Sequence, residues 1–252
     1  MRLRGAHAVV TGGGTGIGAA VARALAREGA RLSLLGRRRE PIERVAAEVG
    51  GAAFAADVTD RAAVDRALGE ARAAHGPVSI LVNNAGRAAS APFARVAAEE
   101  WRSTMAANLD ALLHCCQAAL PDLLAAPHGR IVTVASTAGL KGYGYTAPYV
   151  AAKHGAVGLM RALAAEYART GLTANAVCPG FTDTDIVADA ARTIANRTGR
   201  SKDEARAELA RFNPQGRLIE PDEVAEAVAW LCLPSSRSVT GQALAVAGGE
   251  VA

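Results

Sequence analysis

The chain has 252 residues, of which 50% are hydrophobic, 21% charged and only 4% aromatic, and its formal net charge is +4. This composition is typical of a globular protein whose sizeable core is built from small aliphatic side chains, and no uncharged apolar run approaches the ~18 residues that a membrane span needs. The basic residues are not arranged in a stripe with interleaved aromatics, so we expect neither a nucleic acid nor a membrane as a partner.

Short apolar runs alternate along the chain with longer segments in which apolar residues recur at helical spacing. The runs predict strands at 7–11, 31–35, 52–56, 79–83, 130–135, 173–177 and 243–247. The segments with helical spacing lie at 16–28, 40–49, 60–75, 98–125, 148–170 and 221–233. Alternating strands and helices indicate βαβ units and a parallel sheet that is covered on both faces, which is an α/β fold. Since no linker divides the chain, we expect one domain over 1–252.

One stretch, 181–220, departs from this alternation and is rich in basic residues. Two segments within it, 186–197 and 201–212, have helical spacing. A long insertion at the edge of a compact domain is usually a lid or a binding loop, so we expect a helical lid over the substrate site. The basic residues are Arg192, Arg197, Arg200, Lys202, Arg206 and Arg211.

The cysteines indicate a reducing environment. Cys115, Cys116, Cys178 and Cys232 show neither a CxxC pair nor a Cys/His spacing, so we expect no metal site and no disulfide framework. Buried free thiols and a cytoplasmic location follow. The first residues run directly into an apolar strand, without the apolar region and cleavage site of a signal peptide.

A glycine-rich turn follows the first predicted strand and precedes the first predicted helix. Such glycines let the backbone turn tightly and approach a pyrophosphate, whose charge then lies at the helix N-terminus. A purely structural turn is the alternative interpretation. The turn comprises Thr11, Gly12, Gly13, Gly14, Thr15, Gly16, Ile17 and Gly18.

Together with four further motifs in order, this turn resembles the cofactor site of the short-chain dehydrogenases/reductases. The further motifs are Asn83-Asn84-Ala85-Gly86 after the fourth strand, Asn108, the set Ser136, Tyr149 and Lys153, and Pro179-Gly180 followed by Thr182 and Thr184. The resemblance covers nearly the whole chain. It implies a Rossmann-type, doubly wound sheet of about seven strands and a homotetramer. It also implies an NAD(P)(H) cofactor held by the glycine-rich turn, Asn84-Ala85-Gly86, Tyr149, Lys153 and the residues of the last motif.

The catalytic hypothesis depends on Tyr149 and Lys153, which are four residues apart and so share one helix face. A phenol has a pKa near ~10, and a nearby ammonium lowers it toward the range that suits an acid catalyst. Ser136, at the carboxyl edge of the sheet, would hold the substrate oxygen, or it is an ordinary turn serine. Asn108, by resemblance, holds a water that relays protons to Lys153, or it simply faces solvent. Tyr143 and Tyr145 are interpreted as pocket walls.

The end of the second predicted strand bears on cofactor choice. It reads Gly36-Arg37-Arg38-Arg39, where NAD-binding chains of this fold place an acid for the ribose 2′-OH. An arginine can instead bind a 2′-phosphate, so we favour NADP(H) with Arg37 as the ligand, while NAD(H) stays possible. A solvated basic helix start is the alternative. Asp57 and Val58 resemble the family's adenine contact, although Asp57 is equally a candidate helix N-cap.

The sequence defines the reaction more closely than it defines the substrate. The segments around 137–142, 147–149 and 175–181 resemble the 3-oxoacyl and polyketide ketoreductase branch, which implies a 3-oxoacyl thioester or a hydrophobic or aromatic ketone. The alternatives are an NAD-dependent secondary-alcohol or 3-hydroxyacyl-CoA dehydrogenase that works oxidatively, and a non-catalytic NAD(P)-sensing module. The basic lid either meets the phosphates of a substrate arm or is a solvated charged surface.

Overall fold

A computed structural model describes residues 1–251, and its centre is a single parallel sheet of seven strands. The strands are His7–Thr11 (β1), Arg31–Gly36 (β2), Ala52–Ala55 (β3), Ile80–Asn83 (β4), Arg130–Val134 (β5), Thr173–Pro179 (β6) and Ala243–Val246 (β7). Their order is β3-β2-β1-β4-β5-β6-β7, and every neighbouring pair is parallel. The predicted α/β fold is confirmed, with each strand within two residues of its predicted bounds.

Helices cover both faces of the sheet. They are Gly16–Arg27 (α1), Arg39–Val49 (α2), Arg61–His75 (α3), Ala98–Met105 (α4), Ala111–Ala125 (α5), Ala147–Glu166 (α6), Asp185–Thr198 (α7), Lys202–Ala210 (α8) and Pro221–Cys232 (α9). One core cluster joins α1, α2 and α9 to the sheet, and a second joins α3, α5 and α6 to its other face. The strand order reverses between β1 and β4, and in such sheets ligands bind at the carboxyl edge beside this point.

The predicted helix 98–125 is wrong in one respect, because a π-helical segment, Ala106–Asp110, separates α4 from α5. Periodicity over a window of several turns does not detect one inserted residue. Here the insertion is accompanied by Asn108, whose side-chain amide donates to Thr104 O at 2.9 Å and to Arg87 O at 2.9 Å. Single π turns of this kind occur frequently at functional sites.

The segment predicted as a lid contains α7 and α8 and has a small core of its own. Val187, Ala191, Ala205, Leu209 and Leu218 are its buried members. The lid therefore packs as a unit at the carboxyl edge of the sheet, where Asp183 N bonds to Ile219 O at 2.9 Å.

Two further features concern the chain as a whole. No helix among residues 1–251 is at once long and apolar enough to cross a membrane. The four cysteines are free and buried, as predicted, and burial raises the pKa of the Cys115, Cys116 and Cys232 thiols to about 12 and that of Cys178 to about 11.

Candidate active site

The glycine-rich turn between β1 and α1 has a geometry that only glycine fits. Gly12 and Gly16 have φ of +65° and +50°, a region that other residues rarely adopt. A Cβ on Gly18 would lie 2.2 Å from Gly12 O, so the helix start and the turn are in direct contact. The first turn of α1 carries no acidic side chain, which leaves its N–H groups and the positive end of its dipole available to an anion.

A cavity of about 600 Å³ lies beside this turn. Its lining includes Gly14, Thr15, Gly16, Ala19, Arg23 and Thr184. The glycine cradle and the helix N-terminus that borders the cavity suit a pyrophosphate, so the residues present fit the nucleotide cofactor that the resemblance implies.

Asn84 and Thr11 tie the second motif to the turn. Thr11 Oγ1 accepts hydrogen bonds from Asn84 N at 3.0 Å and Ala85 N at 3.1 Å. In return, Asn84 Nδ2 donates to Thr11 O at 3.0 Å and to Gly12 O at 3.1 Å. Asn84 therefore fixes the shape of the cradle, and Thr11, the first residue of the glycine-rich turn, is its partner.

Arg37, at the end of β2, is exposed, and within the described chain it forms no ion pair or hydrogen bond. Its neighbour Arg39 is paired with Glu43 at 3.4 Å. A Cβ at Gly36 would lie 2.9 Å from Ile42 Cγ2, so this glycine accommodates helix α2.

Asp57 lies after β3 and does not cap helix α3. Its Oδ1 accepts from Thr59 N at 2.9 Å and from Thr59 Oγ1 at 2.7 Å. The N-cap is Asp60, whose side chain accepts from Ala62 N at 2.9 Å, so the interpretation of Asp57 as the cap is wrong. Val58 is buried beside it, and its carbonyl bonds to His114 Nδ1 at 3.1 Å.

Ser136 and Tyr149 meet at the carboxyl end of β5. Ser136 follows the strand, and its Oγ accepts from Ala138 N at 3.1 Å, which winds the next three residues into a short 3-10 turn. Tyr149 lies in the first turn of α6, behind the helix-initiating Pro148. Burial raises the pKa of Tyr149, and a hydrogen bond with Ser136 partly offsets this effect.

Lys153 lies one turn further along α6 and is only 5% exposed. Its Nζ donates to Val134 O at 3.0 Å and lies 5.5 Å from the centroid of the Tyr149 ring. Burial lowers the pKa of Lys153 to about 8. The sequence predicts that Lys153 lowers the pKa of Tyr149. In the structure, the ammonium lies over the ring rather than beside the hydroxyl, and burial, which raises the tyrosine pKa, is the larger effect.

Asn108 is buried and does not face solvent. Both of its amide hydrogens are used by Arg87 O and Thr104 O, and Oδ1 accepts from Arg87 N at 3.3 Å. Gly86 separates it from the lysine: a Cβ there would lie 2.7 Å from Asn108 Oδ1 and 3.7 Å from Lys153 Nζ. The side chains of Asn108 and Lys153 thus both approach the main chain at Gly86.

The loop after β6 contains the remaining predicted cofactor residues and lies against the glycine-rich turn. Pro179 ends the strand. Thr182 Oγ1 donates to Gly180 O at 3.0 Å, and Thr184 Oγ1 donates to Thr182 O at 3.2 Å. A Cβ at Gly16 would lie 3.0 Å from Thr184 Cγ2. The structure thus joins this loop to the phosphate cradle across the top of the sheet.

Three of the six basic residues at 181–212 are ion-paired within the described chain. Arg192 pairs with Asp189, Arg200 with Glu208, and Arg206 with Asp183. Arg197 donates to Ser90 O at 3.4 Å and has no acidic partner among residues 1–251. The three pairs form part of a solvated charged surface, and the other three basic residues are the cations left for a substrate phosphate.

Tyr143 is more than the pocket wall that the sequence suggested. Its hydroxyl bonds to both Thr137 and Glu250, and burial and that carboxylate raise its pKa. Tyr145, by contrast, is exposed and is the one non-glycine residue of the described chain with a positive φ, 65°. Glu250, near the chain end, had no sequence signal because no motif or period includes it.

Comparisons with known proteins give a consistent result. Residues 6–195 match the family model for short chain dehydrogenase. A putative ketoacyl reductase of Streptomyces coelicolor is 39% identical over 249 residues, which is 96% of this chain and 95% of that protein. The 3-oxoacyl-[acyl-carrier-protein] reductase FabG of Escherichia coli is 36% identical over 251 residues, with 99% and 98% covered. The crystal structure of an actinorhodin polyketide ketoreductase variant with NADPH has a TM-score of 0.94 at 37% identity, over 98% of this chain and 97% of that one.

Proposed function

This chain belongs to the short-chain dehydrogenase/reductase family of NAD(P)-dependent oxidoreductases, and from that premise we propose that it is an NADP(H)-dependent carbonyl reductase. The observation that carries the proposal is the convergence of Ser136, Tyr149 and Lys153 at the carboxyl edge of the sheet. Ser136 lies close enough to Tyr149 to lower the pKa of its phenol, and Lys153 lies over the tyrosine ring. A nucleotide-sensing module has no use for this set of side chains.

In the proposed reaction, the bound nicotinamide supplies the hydride to the carbonyl carbon. Ser136 and Tyr149 hold the carbonyl oxygen, and Tyr149 donates its phenolic proton to it, so that the product is the secondary alcohol. Burial keeps this phenol protonated, as a donor requires. Lys153, held by Val134 O, supplies positive charge that stabilises the phenolate after transfer.

Asn108 completes the proposed proton path. Since both of its amide hydrogens are committed, it can hold a water only as an acceptor, through Oδ1 or its main-chain carbonyl. Both Oδ1 and Lys153 Nζ face Gly86. Through such a water the proton lost by Tyr149 is replaced from solvent by way of Lys153.

The residues proposed to hold the cofactor divide by position. The pyrophosphate would be held by Gly12, Gly14, Thr15, Gly16, Ile17 and Gly18, the adenine by Asp57 and Val58, the riboses by Asn84, Ala85 and Gly86, and the nicotinamide by Pro179, Gly180, Thr182 and Thr184. Arg37, unpaired in the described chain and followed by no acid before Glu40, is the proposed ligand of a 2′-phosphate. The NADPH-bound ketoreductase structure supports this choice.

For the substrate we propose a 3-oxoacyl thioester or a hydrophobic ketone. The names of the ketoacyl and 3-oxoacyl relatives support this class. Tyr143, Phe181 and Phe212 supply an aromatic wall near Ser136 that suits an apolar chain. Incubation with NADPH and a panel of 3-oxoacyl thioesters, aromatic ketones and polyols tests the proposal, and reduction of none of them would contradict it.

We further propose a cytoplasmic homotetramer. Helix α6 exposes the small residues Gly158, Ala162 and Ala165, which permit close helix packing. Leu113 and Leu124 on α5 add exposed apolar area. Light scattering should give about four times the 25.7 kDa chain mass, and a monomer would contradict the proposal.

A further inference from the structure

A chain of hydrogen bonds begins beside the proposed catalytic serine and ends at the C-terminal tail. Tyr143 OH donates to Glu250 Oε1 at 2.5 Å. Because a phenol has one proton, the 2.6 Å contact between Tyr143 OH and Thr137 Oγ1 must be donated by the threonine. The donors therefore run in one direction, from Thr137, next to Ser136, through Tyr143 to Glu250.

Glu250 is held unusually firmly for a residue so near the chain end. Its side chain is 2% exposed, and Lys141 Nζ lies 3.2 Å from Oε1 and 3.3 Å from the main-chain oxygen. Oε2 has no hydrogen-bond partner in the described chain and would lie 2.9 Å from a Cβ on Gly180. Burying a carboxylate is costly unless it is paired. The tail is thus fixed between the loop that follows Ser136 and the loop that follows β6.

The ring of Tyr143 connects the same residue to the lid. It lies 6.1 Å from the Phe181 ring and 6.0 Å from the Phe212 ring, and those two rings are 5.0 Å apart. Phe212 follows α8 and is 45% exposed. The side chain of Tyr143 therefore contacts segment 181–220 with its ring and Glu250 with its hydroxyl.

We propose that Glu250 is a positioning residue for substrate binding. It orients the side chain of Tyr143 and thereby fixes the aromatic wall that faces the ketone. This inference rests on the proposed reductase function. Neither Glu250 nor Tyr143 contacts the glycine cradle, and Glu250 reaches the proposed nicotinamide loop only at Gly180. Their loss should therefore lower the affinity for the ketone and leave the pyrophosphate site intact.

Steady-state kinetics of Glu250→Leu, Glu250→Gln and Tyr143→Phe test the proposal. Loss of a hydrogen bond to a charged group should raise KM for the best ketone about tenfold in Glu250→Leu and in Tyr143→Phe. The kcat and the Kd for NADPH should stay within about twofold of wild type. Glu250→Gln keeps an acceptor for the phenol and should largely restore KM. Glu226→Gln, on the exposed face of α9, is the matched control.

The double variant separates positioning from general stability. If both residues act through one hydrogen bond, Glu250→Leu combined with Tyr143→Phe should raise KM no further than Tyr143→Phe alone. A purely structural role would instead lower Tm, leave KM unchanged, and give stability losses that add in the double variant, and this result would overturn the proposal. If Glu250→Leu does not fold, Glu250→Gln and Tyr143→Phe carry the comparison.

Hydrogen exchange supplies a readout that needs no substrate. Glu250→Leu and Tyr143→Phe should both accelerate exchange in 137–146 and in 210–218, while exchange in α1 stays unchanged. If wild type reduces no ketone, the proposed function fails, and this measurement alone decides on the positioning role. Unchanged exchange in both segments, or an unchanged KM in an active enzyme, would overturn it.

Discussion

Lys153 Nζ lies 5.5 Å from the centroid of the Tyr149 ring and donates its hydrogen bond to Val134 O rather than to the phenol. Strand β5 therefore fixes the ammonium, and helix α6 fixes the phenol relative to it. With its side chain 5% exposed, Lys153 has a pKa lowered by burial to about 8. The pKa of the lysine is thus about 8, whereas burial keeps Tyr149 protonated.

This arrangement predicts a pH profile. A base whose pKa is depressed to about 8 is charged below that pH and neutral above it, so the positive charge that stabilises the phenolate is lost as pH rises. The kcat/KM for ketone reduction should therefore fall as pH increases through about 8. Initial rates from about pH 6 to about pH 10 check this, and a flat profile across that range would show that Lys153 has no such role.

Gly86 supplies a second test, because it separates Asn108 from Lys153. In Gly86→Ala, the new Cβ would lie 2.7 Å from Asn108 Oδ1, so one of the two side chains must shift. Since small displacements in a reacting geometry are costly, kcat should fall at least tenfold, by roughly 10–100-fold, with little change in Tm. Gly69→Ala, in α3 with nothing within 4 Å, is the control. A wild-type kcat in Gly86→Ala would show that Asn108 is not part of the proposed proton path.

The cofactor proposal is tested at Arg37. Wild type should prefer NADPH to NADH in kcat/KM, and Arg37→Ala should reduce that preference about tenfold by removing a charged hydrogen bond. Arg37→Asp should favour NADH, and it is a better place for the acid than position 36, where a Cβ would contact Ile42 at 2.9 Å. Arg66→Ala, at an exposed position on α3, is the control. Equal use of NADH by wild type would show that the interpretation of this strand end is wrong.

Much of this arrangement could be predicted from the sequence, and the exceptions have physical reasons. The seven strands follow from local patterns that repeat within a few residues, and Ser136, Tyr149 and Lys153 are identified by their resemblance to the family's catalytic motif. The π turn at Asn108 and the packing of Gly36 against Ile42 depend on single contacts that no periodic pattern encodes. The cap at Asp60 is a local contact, but Asp57 is an equally suitable cap by residue type. Glu250 could not be predicted, since 107 residues separate it from Tyr143 along the chain.

The environment of His7 predicts how the free energy of unfolding depends on pH. It is buried, its Nδ1 bonds to Gly76 O at 2.7 Å, and its Nε2 bonds to Ser33 Oγ at 2.8 Å. A carbonyl can only accept, so Nδ1 carries the proton of a neutral ring, and burial lowers the pKa of His7 below 6.5. Below that pH the unfolded chain binds the proton more readily than the native one, so the free energy of unfolding should decrease.

Denaturant unfolding measured over this pH range checks the prediction. The slope that His7 contributes below pH 6.5 should approach ~1.4 kcal/mol per pH unit at most and should disappear in His7→Gln. His128→Gln, at an exposed loop position, should keep the wild-type slope. An identical slope in His7→Gln would assign the acid sensitivity to other groups.

The most direct test of the central claim, that this chain is a carbonyl reductase with Tyr149 as its proton donor, compares wild type with Tyr149→Phe. The change removes one proton and keeps the ring. NADPH oxidation is followed with the ketone on which wild type is most active, NADPH affinity is measured separately, and Tyr167→Phe is the control. We expect unchanged NADPH affinity and a kcat lower by about 10²–10⁴-fold in Tyr149→Phe, because general acid catalysis contributes a factor of that size. A Tyr149→Phe rate within about tenfold of wild type would contradict the account.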